Sequence, residues 1–234
     1  MLLDILFSNN ILLSLLSLII VFPALLFSLS AHEYAHGFAA YKQGDGFAKS
    51  TGRLTLNPLA HIDPVGSLMM LLVGFGWAKP VPIVPSNFRN GRKSMLIVSF
   101  AGVFANLVLA TVSMFLLYFL QVIVFSQVNF FYTELGLKIG IVIYDILYYL
   151  IIVNLNLAVF NLIPIPPLDG YKIFKEFFIG KVSYNFFINM ERYATIILLV
   201  FLVVSNRVGI IEAVSGFLFS LMSKVMDLIF IAFI

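Results

Sequence analysis

Apolar residues run almost unbroken through 11–40, 94–122, 138–163, 193–205 and 208–234. A hydrocarbon core about 30 Å thick takes roughly 20 helical residues to cross. The first three runs are long enough. The fourth is short, and Asn206-Arg207 marks the turn into the fifth. Another apolar run, 64–77, is too short to span; with Gly66, Gly74 and Gly76 it predicts a re-entrant or surface loop. Pro23 predicts a kink in the first run. Between the runs, Tyr41–His61 is polar and rich in glycine, and Arg53-Leu54-Thr55-Leu56 alternates like a short strand. Lys79-Pro80-Val81-Pro82-Ile83-Val84-Pro85 is extended by its prolines. Residues 171–192 predict a loop or partial helix. The pattern describes an all-α polytopic membrane protein with about five transmembrane helices and a short β-like cytoplasmic loop. It predicts a single domain over 1–234, with its core at about 11–175 and C-terminal helices at about 193–234.

Composition supports the membrane assignment. The chain is 62% hydrophobic and 11% charged, against about 25% charge in soluble domains, and its mean hydropathy is +1.06. It has no cysteine, so disulfides and thiolate metal sites are excluded. The net charge of +3 is not a nucleic-acid signal, and no nucleic-acid partner is expected. The basic residues instead sort by loop. Lys42, Lys49, Arg53, Lys79, Arg89, Arg92 and Lys93 fall in 41–93, and Lys172, Lys175, Lys181 and Arg192 in 164–192. Only Lys138 and Arg207 are assigned to the other side. The positive-inside rule then puts both large loops in the cytoplasm and the N-terminus outside, in a multi-pass protein of the plasma membrane. The first run lacks a basic leader and is too long for a cleavable signal, so it is expected to stay as a span.

Two of the three histidines stand in His32-Glu33-Tyr34-Ala35-His36, inside the first apolar run. Four residues apart on a helix, they share a face and can share a metal. Glu33 can then act on a water activated by that metal. With Lys42 at the interface, His36 lies about 9 Å and His32 about 15 Å inward. Ionisable groups at that depth are a functional signal by default. A catalytic zinc takes three protein ligands and keeps one position open. His61 is a candidate third ligand, though a loop-packing histidine is the plainer reading. Lys42 occupies the metzincin third position and cannot serve. Asp145 falls toward the outer end of its span, where a polar contact between helices suits it. Asp169 follows a proline-broken segment on the same side as the motif, although Asp-Gly is also a common turn.

The His-Glu motif, with Asn161-Leu162-Ile163-Pro164-Ile165-Pro166-Pro167-Leu168-Asp169-Gly170 far downstream, resembles the site-2 protease family of intramembrane zinc metalloproteases. The stretches Gly52-Arg53-Leu54-Thr55-Leu56-Asn57-Pro58-Leu59-Ala60-His61-Ile62-Asp63-Pro64-Val65-Gly66 and Gly76-Trp77-Ala78-Lys79-Pro80-Val81-Pro82 are similar to its compact prokaryotic branch without a PDZ domain. The likeness covers about 28–175. It implies one Zn²⁺ per chain held by His32, His36 and Asp169, and Glu33 as the catalytic acid and base. It implies a substrate-binding role for Asn161. Asn106, in Ala101-Gly102-Val103-Phe104-Ala105-Asn106, matches the family's small-residue helix signature and is grouped with Asn161. Val103 departs from the usual proline.

The expected activity is cleavage of transmembrane segments or signal peptides by zinc-activated water, with a membrane-spanning protein or peptide as substrate. A substrate helix must unwind first, and the strand-like 52–57 and the proline-rich 79–85 offer an edge for strand addition. An ion- or proton-coupled transporter is the rival reading, although no internal repeat is found. A non-proteolytic, zinc-stabilised scaffold is the other.

Overall fold

A computed structural model describes residues 11–73, 76–125 and 133–231. Helix α1 spans Ile11–Lys42 and carries through Pro23. A single turn, α2 (Phe47–Ser50), and helix α3 (Pro64–Val73) follow. Long helices α4 (Gly91–Phe125) and α5 (Glu134–Asn161) come next. Then come two amphipathic helices, α6 (Asp169–Phe178) and α7 (Tyr184–Arg192), and two apolar ones, α8 (Ala194–Val208) and α9 (Ile210–Phe230). Parts of α1, α4, α5 and α9 are long and apolar enough to cross a membrane. At 15 residues α8 reaches about 22 Å, too short to cross alone. With α7, bent from it by 70°, it makes a fifth candidate span. Among the described residues there is no sheet. The 53–57 segment runs without helix or ladder, so its alternation reflects an extended loop with no partner strand.

Helix α4 shows how the bundle sorts its faces. Ile97, Phe100, Phe104, Val108, Val112, Leu116 and Phe119 are exposed, at the spacing of one helical stripe. Val98, Asn106, Ala110, Met114 and Leu117 are buried on the opposite face. Ala110, Met114 and Leu117 form a cluster with Ile151 and Leu155 of α5 and Met226 and Phe230 of α9. Lipid is as apolar as these side chains, so close packing and hydrogen bonds hold the bundle rather than exclusion of water. Small residues let the helices approach: Ala24, Ser28 and Ala40 on α1 and Ala158 on α5 are buried. Asn154 of α5 donates to Ser28 Oγ of α1 at 2.9 Å, a contact worth about 0.6 kcal/mol in typical membrane bundles.

Of the re-entrant or surface loop expected at 64–77, Gly74 lies outside the described residues, and residues 64–73 form helix α3. Asp63 Oδ1 caps it by accepting from Gly66 N–H at 2.7 Å, and Pro64 opens it, where no donor is needed. Its ten residues reach about 15 Å. A Cβ on Gly66 would collide with the carbonyl of Trp77, and one on Gly76 with that of Gly66. The backbone at Gly66 and that at Gly76 and Trp77 touch directly.

Candidate metal centre

The helical repeat of α1 puts His32 and His36 one above the other, with ring centroids 4.5 Å apart and an interplanar angle of 86°. The third group comes from far along the chain. After α5 the turn through Leu162–Leu168 folds back, so that Asp169 starts α6. That fold is tight: a Cβ on Gly170 would collide with the carbonyls of Leu162 and Ile163. This is the reason an Asp-Gly pair stands here. Asp169 Oδ2 lies 3.1 Å from His32 Nε2 and 2.8 Å from His36 Nε2, and the two Nε2 atoms are 2.9 Å apart. Ligands about 2.0 Å from a tetrahedral zinc stand about 3.3 Å from one another. The triangle is therefore nearly the right size before any ion is considered. All three residues are buried. The second carboxylate oxygen, Oδ1, accepts from Lys172 Nζ at 2.8 Å, one helical turn on.

Helix α4 supplies the backing. His36 Nδ1 donates to the Val98 carbonyl at 2.7 Å, and His32 Nδ1 to Asn106 Oδ1 at 3.0 Å. Both imidazoles are thus held with Nε2 free of its proton and aimed at Asp169. Between these partners on the same stripe stands Gly102. A Cβ there would come within 2.7 Å of His32 Nε2 and closer still to His36 Nε2. The missing side chain leaves the space where the three ligand atoms converge. Donor set, tautomers and open cradle all fit a zinc ion.

Glu33, half-buried, is engaged from above. The Val81 N–H donates to Glu33 Oε2 at 2.8 Å. Its loop is stapled down at both ends. Arg53 donates to the carbonyls of Ala60, Lys79 and Pro80. Asp45, fully buried, accepts from Val84 N–H at 2.7 Å, Asn87 Nδ2 at 2.8 Å and Phe47 N–H at 3.1 Å. These contacts correct the edge expected at 79–85. The N–H groups of Lys79, Val81 and Val84 go to His61, Glu33 and Asp45, and Pro80 and Pro82 have none. The segment has few donors left for an added strand.

His32, His36 and Asp169 meet as expected, and Glu33 stands next to His32 on α1 with its carboxylate held by Val81. His61 does not join them. It is buried in the loop, with Nε2 donating to the Thr55 carbonyl at 2.8 Å. Asn106 lies at the site as the partner of His32 and is fully buried. Asn161, half-buried at the end of α5, donates to the Leu157 carbonyl at 3.0 Å. Sequence reasoning missed Val98 and the steric role of Gly102. The four-residue spacing of 98, 102 and 106 was the available signal. It also missed Asp45 and took Arg53 for a topology charge.

The sequence model of Peptidase family M50 matches residues 20–205. The chain is similar to the putative zinc metalloprotease YwhC of Bacillus subtilis, with 42% identity over 152 residues, 65% of this chain and 66% of that protein. It is also similar to the putative zinc metalloprotease Rip2 of Mycolicibacterium smegmatis, 32% identical over 158 residues, or 65% of this chain and 55% of that protein. Rip2 of Mycobacterium tuberculosis is 30% identical over a segment of the same length. The chain thus spans just under two thirds of the Bacillus relative and about half of the mycobacterial ones. No solved structure matches it.

Proposed function

The chain belongs to Peptidase family M50, and from that premise we propose that it is a zinc metalloendopeptidase that cuts membrane-spanning segments or signal peptides within the bilayer. The convergence of His32, His36 and Asp169, with Glu33 beside them, carries this reading. His32 Nε2, His36 Nε2 and Asp169 Oδ2 would hold one Zn²⁺. Bound there, the ion would lower the pKa of water and polarise the scissile carbonyl. Glu33 takes the proton of the attacking water and delivers it to the leaving nitrogen. Val81 keeps Glu33 Oε2 occupied, which assigns the water to Oε1. Asn106 and Val98 hold the imidazoles through the cycle. Asn161, at the end of α5 near the turn to Asp169, is assigned to the substrate chain.

The basic loops support a multi-pass plasma-membrane topology with the N-terminus outside and the site toward the cytoplasm. Because the chain has no cysteine, single cysteines test this directly. One in 86–93 should label only from the cytoplasm, and one in 127–133 only from outside. The activity is tested with Glu33→Gln in detergent on a helical membrane substrate. It should keep one zinc and lose about 10²–10⁴ in cleavage rate, while a zinc chelator silences the parent. Equal cleavage by parent and variant, with both indifferent to the chelator, would end the protease reading and favour the transporter or scaffold.

A further inference from the structure

Two buried side-chain amides near the site each lack a partner for one end. Asn106 Nδ2 and Asn154 Oδ1 make no hydrogen bond to protein, and both residues are fully buried. Chemistry fixes which end is which. His32 must donate from Nδ1 if Nε2 faces a metal, so the Asn106 atom that meets it is the carbonyl oxygen. The Asn154 amide meets the Leu150 carbonyl at 2.8 Å, which can only accept, so that atom is the nitrogen. The orphans are therefore one donor, on Asn106, and one acceptor, on Asn154.

The fold puts them within about one helical turn of each other along the bundle. Ala110 of α4 and Ile151 of α5 share a buried cluster. Asn106 lies four residues before Ala110, and Asn154 three after Ile151. Helices α4 and α5 are successive and packed along their length, so these are steps of about one turn toward the same end. Helix α1 gives the offset. Asn106 bonds His32, and Asn154 bonds Ser28, one turn earlier on the same face. Asn156 also has a buried orphan oxygen, but two residues on it points to the other side of α5.

Resting on the metal reading above, we propose that Asn154 is a positioning residue for the metal centre, tied to Asn106 through one buried water. The water accepts from Asn106 Nδ2–H and donates to Asn154 Oδ1. Asn154 is itself fixed by its bonds to Ser28 and Leu150, so the chain Ser28–Asn154–water–Asn106–His32 holds the amide that orients the first ligand. Without that brace, the Asn106 amide can rotate and present a donor to a donor, releasing His32 from its tautomer.

The test is zinc affinity of the full chain in detergent, measured by competition with a chelator, so that cleavage is not the readout. Asn106→Leu should weaken zinc about 10- to 100-fold, as loss of a ligand's hydrogen-bond partner does. Asn154→Leu, one step removed, should weaken it about 3- to 10-fold. The double variant should bind no more weakly than Asn106→Leu alone, because Asn154 acts only through Asn106. Ser28→Ala, which loosens Asn154 with little change in volume, should weaken zinc in the same direction by less. It serves as the readout if Asn154→Leu does not fold. Unchanged affinity in Asn154→Leu and Ser28→Ala, or losses that multiply in the double variant, would overturn the proposal while leaving the metal centre standing. A parent that binds no zinc would overturn both.

Discussion

The junction of α1, α4 and α6 and the C-terminal pair α8–α9 are made of similarly apolar helices, yet they bury different residues. The junction hides His32, His36, Asn106 and Asp169, each hydrogen-bonded to another helix. Helix α9 buries Met226 and Phe230 in an apolar cluster, and α8 buries only Ser205 among the described residues. Ile196, Leu199, Val200, Val203, Val204 and Val208 of α8 are exposed, as lipid-facing side chains are. Polar groups inside a bilayer are expensive unless paired. The junction bears that cost by pairing each group, as the proposed metal centre requires. The C-terminal pair makes no comparable demand, and the family match ends at residue 205, before α9.

The comparison breaks most sharply at the ligands. Asp169→Ala or His36→Ala should lose stoichiometric zinc, whereas Ser215→Ala, a buried polar site of α9, should keep it; metal analysis of purified protein decides. Full zinc in Asp169→Ala would remove that residue from the ligand set. The two helical glycines come next. Gly102→Ala puts a methyl among the ligand nitrogens and should also cost the metal. Gly216 meets nothing within 4 Å, so Gly216→Ala should be neutral or stabilising by up to about 1 kcal/mol in thermal unfolding. Equal behaviour of the two would show that Gly102 leaves no functional space.

A smaller effect is expected at Asp45, which holds the loop over Glu33. Burial pushes its carboxyl up, but hydrogen bonds from Val84, Asn87 and Phe47 dominate and hold it below the ordinary range. A depressed carboxyl stabilises the fold above its unfolded pKa of about 3.9 and loses that contribution as pH falls through the folded value. Asp45→Asn should cost about 1–3 kcal/mol near neutral pH, and the gap to the parent should close in acid. A gap unchanged between neutral pH and pH 3 would refute the carboxylate's role. The smallest effect is on α8, where Val200→Leu should shift unfolding by no more than about 0.5 kcal/mol. A larger loss there would mean that α8 has a protein neighbour rather than lipid.

Much of this molecule was legible from residue order because the membrane simplifies the code. Long apolar runs must be helices, since no water is present to satisfy the backbone. The four-residue spacing of His32 and His36 follows from the helical repeat alone. Asp169 was suggested by side and depth and named by resemblance, because no local rule links positions 137 residues apart. Only the tertiary structure gave Gly102 and Val98 their meaning, by turning one stripe of α4 toward the motif. It also converted Arg53 from a topology charge into a loop staple, and it closed the edge at 79–85 by spending its donors on Glu33, Asp45 and His61. Periodicity and hydropathy are properties of neighbouring residues and can be read along the chain. Which donor meets which acceptor depends on helices that approach from distant parts of it, and only the packed bundle decides that.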